Sequence, residues 1–459
     1  MSNIVLQICE KFIGEVLGVF GQDQVKKIED METGLKEKTD SFVLDVMKVY
    51  LEALDQAIVD DKAGRRRKGI VIERRSDKRE LYTLFGPLKF ERTYFYDKRN
   101  REYGYLLDKA AGLDGYERIS GNVARVLVEH ASESSYGESS RHVSGGEISR
   151  QTVMKKVRLL NGLEISRPEK KRSVRVLHVE ADEDHVAMQD GTNAIVPLIS
   201  IHEGIEKRGR RGNCVNIHHI CSYGKNTEDL WVEAATWIDD NYEAEAIKRI
   251  YLHGDGATWI KRGRNWLPKV KMVLDKYHLN RSIIEATGRQ KERRGEIYYA
   301  LREGDKKRFR EIVHQMYETA VSKNEQEKIH NFQKYIKNNW EGIEIYSKEV
   351  CGGSCTEGHV SHVLSSRLSS RPMGWSKTGL KAMSELRAFC SNGGRVEVKH
   401  LKAEKPLPYK VRKKQLTKVA KVLQKYELDK LDNMPVISIG KVLYIRRLLN
   451  TIKNGGLGF

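Results

Sequence analysis

The 459-residue chain contains no run of about 18 or more apolar residues, so no membrane-spanning helix is expected. Its first twenty residues mix charge with apolar positions (Glu10, Lys11, Glu15) and lack the unbroken apolar core of a secretory signal. Only six cysteines occur, irregularly placed, which argues against a disulfide framework and favours a reducing cytoplasm. Internal repeats and low-complexity tracts are absent. Acidic residues are in deficit, 63 against 82 lysines and arginines, for a formal charge of +19. Such a surplus points to a polyanionic partner, because each phosphate neutralised releases condensed counterions. A merely basic or ribosome-associated protein is the bland alternative. With 39% hydrophobic residues a sizeable core can form, and the length suits roughly three domains.

Residues 1–62 read as helix, with apolar positions three and four apart (Val5, Ile8, Phe12, Val16, Phe20, then Phe42, Val46, Tyr50, Leu54). A basic connector, Gly64 to Gly69, leads into a small antiparallel β region over 63–104. Three strands are expected there, at 69–73, 80–84 and 88–96, with Gly86-Pro87 turning the second hairpin. Residues 105–165 return to helical spacing in short pieces: 120–130, 133–143, a Ser144-Gly145-Gly146 break, then 149–160 with Ser149 as N-cap. This order suits a helix-turn-helix whose last helix offers Arg150, Gln151, Thr152, Lys155 and Lys156 to DNA; an ordinary three-helix packing unit is the plainer option. After a charged linker (167–172), strands are expected at 174–186, 194–201 and 214–221, a helix at 227–242 and a strand at 249–253. From Asp255 to about 345 the chain reads as nearly all helical, 357–393 as helical again, and 396–459 as a basic tail. That tail carries Lys402, Lys405, Lys410, Arg412, Lys413 and Lys414, suited to phosphate contact or a flexible surface.

Three acidic places carry the chemistry. In the strand Val176 to Val186, Leu177, Val179 and Ala181 alternate with His178, Glu180, Asp182 and Asp184 on the opposite face. Four acids within five residues, on a strand otherwise fit for burial, are costly unless cations neutralise them; a solvent-facing edge strand is the alternative. The second place, Asp255, follows an apolar strand and is bracketed by Gly254 and Gly256, where open α/β sheets put their sites; a turn aspartate is its ordinary role. The third, Glu357, opens a helix after the glycine-rich Gly352-Gly353-Ser354; a helix N-terminal acid needs no further role. Together such carboxylates suit two Mg²⁺ ions, with positions left for water and phosphate.

At these residues the sequence resembles the DDE transposases, most closely the ISLre-type insertion-sequence transposases of bacteria, kin of the Mutator-like group. The specific stretches are His178 to His185, His253 to Ile260 and Glu357 to Leu368, within a likeness that covers nearly the whole chain. Asp275-Lys276-Tyr277-His278 is similar to the Cys-or-Asp, two residues, His element of Mutator-like enzymes. The resemblance implies an α/β ribonuclease-H-like core over 172–393 with a helical insertion at about 280–345. It implies a catalytic triad of Asp182, Asp255 and Glu357, with Asp184 a rival first ligand and His278 supporting the site or the scissile phosphate. It implies Mg²⁺, or Mn²⁺, as cofactor and double-stranded DNA (element ends and target) as partner. A homodimer or higher assembly on DNA, at the nucleoid, follows as the expected state. A catalytically inactive DNA-binding relic or regulator, and a nuclease that cuts without joining, are the alternatives.

Other residues receive modest expectations. Cys351, Cys355, His359 and His362, and separately Cys214, Cys221, His218 and His219, have zinc-ligand chemistry. Their spacings are awkward within each group, so ordinary packing is expected. Tyr82, Phe90, Tyr94, Phe95 and Tyr96 are expected mainly in a core. Arg367 and Arg371 are candidates for DNA phosphates, and Trp375 reads as structural.

Overall fold

The computed structural model describes residues 4–20, 25–208, 211–349, 351–371, 373–402 and 409–424, and it is mixed α/β. Lys405 and the stretch from 425 onward lie outside the described residues. The chain divides into two units, 1–123 with 403–459, and 124–402.

In the first unit, helices α1 (Ile4–Phe20) and α2 (Ile28–Asp60) meet through Phe12 and Phe42, stacked at 4.5 Å between ring centres. The basic connector is itself helical, α3 (Lys62–Lys68), begun by the Asp61 cap and ended by Gly69 at φ 76°. Strands β1 (Ile70–Thr83), β2 (Gly86–Asp97) and β3 (Glu102–Tyr105) pair antiparallel in that order. The two strands expected at 69–73 and 80–84 are therefore one. The polar run between them stays in the ladder through register shifts near Arg74, with Ser76 at φ 60°. The turn to β2 lies at Leu84-Phe85, and Gly86-Pro87 already belong to the strand. Short α4 (Leu106–Ala111) follows. Leu54, Ile58, Leu81, Phe90, Phe95 and Leu107 form the core, joined by Tyr409 and Val419 from the far end of the chain. The expected basic tail thus supplies apolar residues to this unit. Its helix Lys413–Gln424 adds Lys418 near Asp60 (3.6 Å), and Arg412 pairs with Asp61 at 2.9 Å.

The second unit begins within α5 (Gly121–Glu133), followed by α6 (Tyr136–Ser144) and α7 (Arg150–Arg158). Gly145 (φ 60°) ends α6, and the Ser144 hydroxyl accepts from Ile148 N at 3.1 Å. The Ser149 hydroxyl then caps α7 by accepting from Thr152 N at 3.3 Å. Val153 and Val157 are fully buried, which orients the helix.

The main sheet comprises β4 (Val176–Ala187), β5 (Asn193–His202), β8 (His218–Cys221), β9 (Arg249–Gly254) and β10 (Val270–Leu274), in the order β10-β9-β4-β5-β8. β4, β9 and β10 run parallel, and β5 and β8 oppose β4 and β5 in turn. β6 (Ile205–Arg208) and β7 (Arg211–Cys214) form a separate hairpin. The single strand expected at 214–221 is thus broken, and Asn216 in the break takes φ 50°. β10 falls within a stretch expected to be helical; at five residues it is too short to announce a period. Leu177, Val179 and Ala181 of β4 pack with Ile199 and Ile201 against Leu230, Trp231, Ala234 and Ile238 of α8 (Thr227–Asn241). β4 is central, so the edge-strand alternative is excluded.

After β9 come α9 (Thr258–Arg262) and, beyond β10, five helices: α10 (Lys276–Thr287), α11 (Arg293–Arg302), α12 (Lys306–Glu318), α13 (Lys323–Asn338) and α14 (Trp340–Lys348). They enclose their own core around Ile283, Phe309, Ile312, Phe332, Ile336 and Trp340. α15 (Thr356–His359) continues through a π-helical stretch, Val360–Ser365, into α16 (Ser366–Leu368). Carbonyls there have lost regular i→i+4 partners. Buried Arg387 of α17 (Lys377–Ser391) supplies donors instead, to Val363 O (2.8 Å) and to His362 O. No helix among the described residues is long and apolar enough to cross a membrane.

Candidate functional site

β4 presents two chemically opposite faces. Its odd-numbered apolar residues enter the core, while His178, Glu180, Asp182 and Asp184 point the other way and are also buried. Asp182 lies beside the end of β9, where the chain approaches closely: a Cβ on Gly254 would stand 3.1 Å from Ala181 O. Asp255 follows at once. Its Oδ1 accepts from Ala257 N (2.8 Å), and its carbonyl accepts from the Tyr335 hydroxyl of α13 (2.9 Å). Gly256 is needed at φ 89°, since a side chain there would strike Asn339.

At the end of neighbouring β10, buried Asp275 caps α10 by accepting from Tyr277 N (2.9 Å) and His278 N (3.2 Å). The same Oδ1 meets His278 Nδ1 at 3.2 Å, and the other oxygen accepts from Ser354 in the glycine-rich loop. One carboxylate therefore ties the histidine to the loop that leads to Glu357. The result is a group in which ligand atoms of Asp182, His278 and Glu357 all lie within 4.8 Å of one another. Asp255 stands just outside this group but within its field. Burial pushes the Asp182 carboxyl up to about 6, and the nearby Asp255 and Glu357 add to that; the Glu183 N–H and His278 oppose it. His278 is shifted up, first by its bond to Asp275, then by the charges of Asp182 and Asp255, against the effect of burial.

Asp184 stands apart from that group. Its Oδ1 accepts from the Ser369 hydroxyl at 2.9 Å, and burial raises its pKa. Of the two, Asp182 is the one whose ligand atom lies near those of His278 and Glu357. Of the proposed DNA contacts, Arg150, Gln151, Lys155 and Arg371 are exposed, while Thr152 and Lys156 are half-buried. Arg367 is a correction: it is 5% exposed, donates to Ala131 O (3.0 Å) and lies over the rings of Tyr136 and Trp375. It braces the interior and is closed to phosphate. Trp375 is structural as expected, donating to Leu368 O at 2.9 Å.

Next to the acidic group lies a second polar nest that sequence spacing did not bring together. Glu180, two residues before Asp182, is 1% exposed. Its Oε1 accepts from Cys355 N (2.9 Å) and faces His202 Nε2 (3.1 Å), and its Oε2 lies 2.9 Å from His359 Nδ1. Burial would raise this carboxyl, but the contacts to His202 and His359 prevail and hold it well below the usual range. Cys214, Cys355 and His359 have ligand atoms within 4.8 Å of one another. The expectation that these cysteines merely pack drew on each local cluster alone, whereas the fold joins two residues of the first, Cys355 and His359, to one of the second, Cys214. Cys351, Cys221, His218 and His362 are not in the group. Burial also holds His178 and His253 down to about 4, so they are neutral, linked by a 3.2 Å contact.

Known proteins match the chain along most of its length. The Uncharacterised protein family (UPF0236) matches residues 22–405. A UPF0236 protein of Caldanaerobacter subterraneus subsp. tengcongensis is 40% identical over 459 residues, 98% of either chain. Another from that organism, whose name joins eleven designations, is 40% identical over 460 residues, again 98% of each. A UPF0236 protein of Streptococcus gallolyticus, named for the vanSb 3′ region, is 24% identical over 389 residues, 80% of this chain and 84% of its own. With a family match across most of its length and relatives this similar, the chain belongs to the UPF0236 family.

Proposed function

We propose that the protein is a metal-dependent DNA transposase of the DDE class, similar to the ISLre-type enzymes, with Asp182, Asp255 and Glu357 as its carboxylates. The observation that carries this reading is the meeting of Asp182, His278 and Glu357, from three distant parts of the chain, with Asp255 close enough to raise the Asp182 pKa. The sheet supports it: three antiparallel-linked strands followed by two parallel ones, in the order β10-β9-β4-β5-β8, is the arrangement of a ribonuclease-H-like core. α10 to α14 then form the insertion before the glutamate, and α5 to α7 the helix-turn-helix. One relative's name spanning eleven designations fits a sequence carried in several copies, as a mobile element is.

The residues suit Mg²⁺. A buried acid raised to about 6 beside further acids is a site where a hard cation relieves repulsion, and oxygen ligands are the ones Mg²⁺ takes. Asp182, Asp255 and Glu357 would hold it, and the bound metal would supply activation of the attacking oxygen and stabilisation of the leaving one. His278, oriented by Asp275 and shifted upward by that bond and the nearby carboxylates, would favour a positive charge where a scissile phosphate enters. Glu357 is exposed, so the acidic group is open to a duplex. α7 offers Arg150, Gln151 and Lys155 for positioning DNA at the nucleoid, where a dimer or larger assembly would pair two element ends.

The test is strand joining with purified protein, labelled DNA carrying the element's ends, a target plasmid, and Mg²⁺ or Mn²⁺ present or withheld. Metal-dependent joined products that disappear in Asp182→Asn, Asp255→Asn and Glu357→Gln are expected. Nicking without joining would leave a nuclease. Metal-independent DNA binding with no cleavage would leave a DNA-binding relic or regulator and sink the enzyme assignment.

A further inference from the structure

We propose that Cys214, Cys355 and His359 bind a zinc ion, next to the acidic group and separate from it. The ligands come from β7 and from the start of α15, elements that the chain brings together across more than a hundred residues. Their spacing is that of a tetrahedral centre. Zinc bonds of about 2.3 Å to sulfur and about 2.0–2.1 Å to nitrogen, at tetrahedral angles, separate the two donors by about 3.6 Å. Cys214 Sγ and His359 Nε2 are 3.6 Å apart. Cys355 Sγ lies within 4.8 Å of both.

The surroundings match what a zinc-bound histidine requires. A ligating imidazole usually gives its other nitrogen to a carboxylate, which fixes the ring and strengthens the ligand. His359 turns Nδ1 to Glu180 Oε2 at 2.9 Å and leaves Nε2 facing the sulfurs. Glu180 is nearly inaccessible to solvent and is itself held by His202 and by Cys355 N. Glu180 Oε2 and His359 Nδ1 have no other hydrogen-bond partner, so each buried atom depends on this contact. A cation on the far side of the ring gives this buried pair a reason to exist. Zinc is held by thiolates, and a free thiol carries its proton near neutral pH, so two protons leave as a Zn–thiolate centre forms. Three protein ligands leave a fourth corner for water.

The ion would act as a positioning device. Glu357 lies midway between Cys355 and His359 in sequence, and Glu180 precedes Asp182 by two residues on the same face of β4. Fixing α15 to β7 and to Glu180 therefore fixes Glu357 opposite Asp182. The zinc site stands without the transposase reading; only this consequence for Glu357 rests on it.

The experiment is metal analysis of the full chain purified without chelator, followed by cobalt substitution. About one zinc per chain is expected, and a cobalt form with thiolate charge-transfer bands and the visible spectrum of tetrahedral Co²⁺. Cys214→Ser and Cys355→Ser should lower zinc content at least about tenfold, since each removes one of three ligands. Asp182→Asn and Glu357→Gln should leave the cobalt spectrum unchanged, which separates this site from the acidic one. Cys214→His, which keeps a ligand, should retain cobalt with a weaker thiolate band, and covers the case in which the serine variant fails to fold. A zinc-free wild-type chain with both thiols freely reactive, or with a Cys214–Cys355 disulfide, overturns the proposal. So does a cobalt spectrum without thiolate bands.

Discussion

Replacing Asp182 with asparagine should make the magnesium-free protein more stable, a direction opposite to that of most buried substitutions. The carboxyl titrates at about 6 in the folded chain against an ordinary 3.8, chiefly because it is buried and then because Asp255 and Glu357 stand near it. An acid whose folded pKa is raised holds its proton more firmly in the native state than in the unfolded one. Ionising it on folding therefore costs stability, increasingly as pH rises from the unfolded value to the folded one. Above about pH 6 the full cost applies, about 3 kcal/mol for a rise from 3.8 to about 6; below about 3.8 it vanishes. Asparagine has the same shape and no charge. The melting temperature of the unit at 124–402 should rise by about 6–12 °C at pH 8, taking roughly 2–4 °C per kcal/mol for a domain near this size. At pH 4 the gain should be small. Scanning calorimetry of both proteins in magnesium-free buffer at the two pH values measures it. Adding Mg²⁺ should then stabilise the parent and leave the variant unmoved. An asparagine variant no more stable than its parent at pH 8 would refute the account of Asp182 as a strained acid awaiting a cation.

Three further outcomes follow from the same geometry. The parent's apparent Mg²⁺ affinity, followed by thermal shift, should weaken by about tenfold per pH unit below about 6, because a proton competes for Asp182. Flat affinity between pH 5 and pH 7 contradicts that. Arg367→Leu should destabilise the protein by about 1–3 kcal/mol, since Ala131 O loses its buried donor, with DNA affinity unchanged. Arg150→Ala with Lys155→Ala should do the reverse: stability within about 0.5 kcal/mol of the parent, but weaker DNA binding and a salt dependence shallower by about two in log–log slope. Filter binding at several salt concentrations distinguishes these cases.

The acidic group was legible because strand alternation is a strong local signal: Leu177, Val179 and Ala181 against Glu180, Asp182 and Asp184 implied a strand with a core on one side only. The Ser149 cap and the glycine break announced α7 equally well. What stayed hidden depended on long-range pairing. β10 is too short to show a period, and only its parallel pairing with β9 makes it a strand. β1 crosses a charged stretch because β2 pairs with it on both sides of the register shifts near Arg74, a tertiary condition that overrides pattern. Arg367 reads as a surface cation from composition, but its burial is decided by Ala131, Tyr136 and Trp375, far apart in the chain. Cys214 lay too far from Cys355 and His359 for spacing to connect them.

The return of the chain to its starting unit bears on how the protein is made. Tyr409 and Val419 fill the same core as Leu54, Ile58 and Phe95, so that core cannot close until both have been translated. Residues 124–402 can complete their own contacts earlier, before the other unit has all of its residues. A ribosome that stops before Tyr409 would release a chain with its acidic group formed and an apolar hollow beside α2, marked for proteolysis or aggregation. Only chains translated through Val419 can therefore complete the N-terminal core.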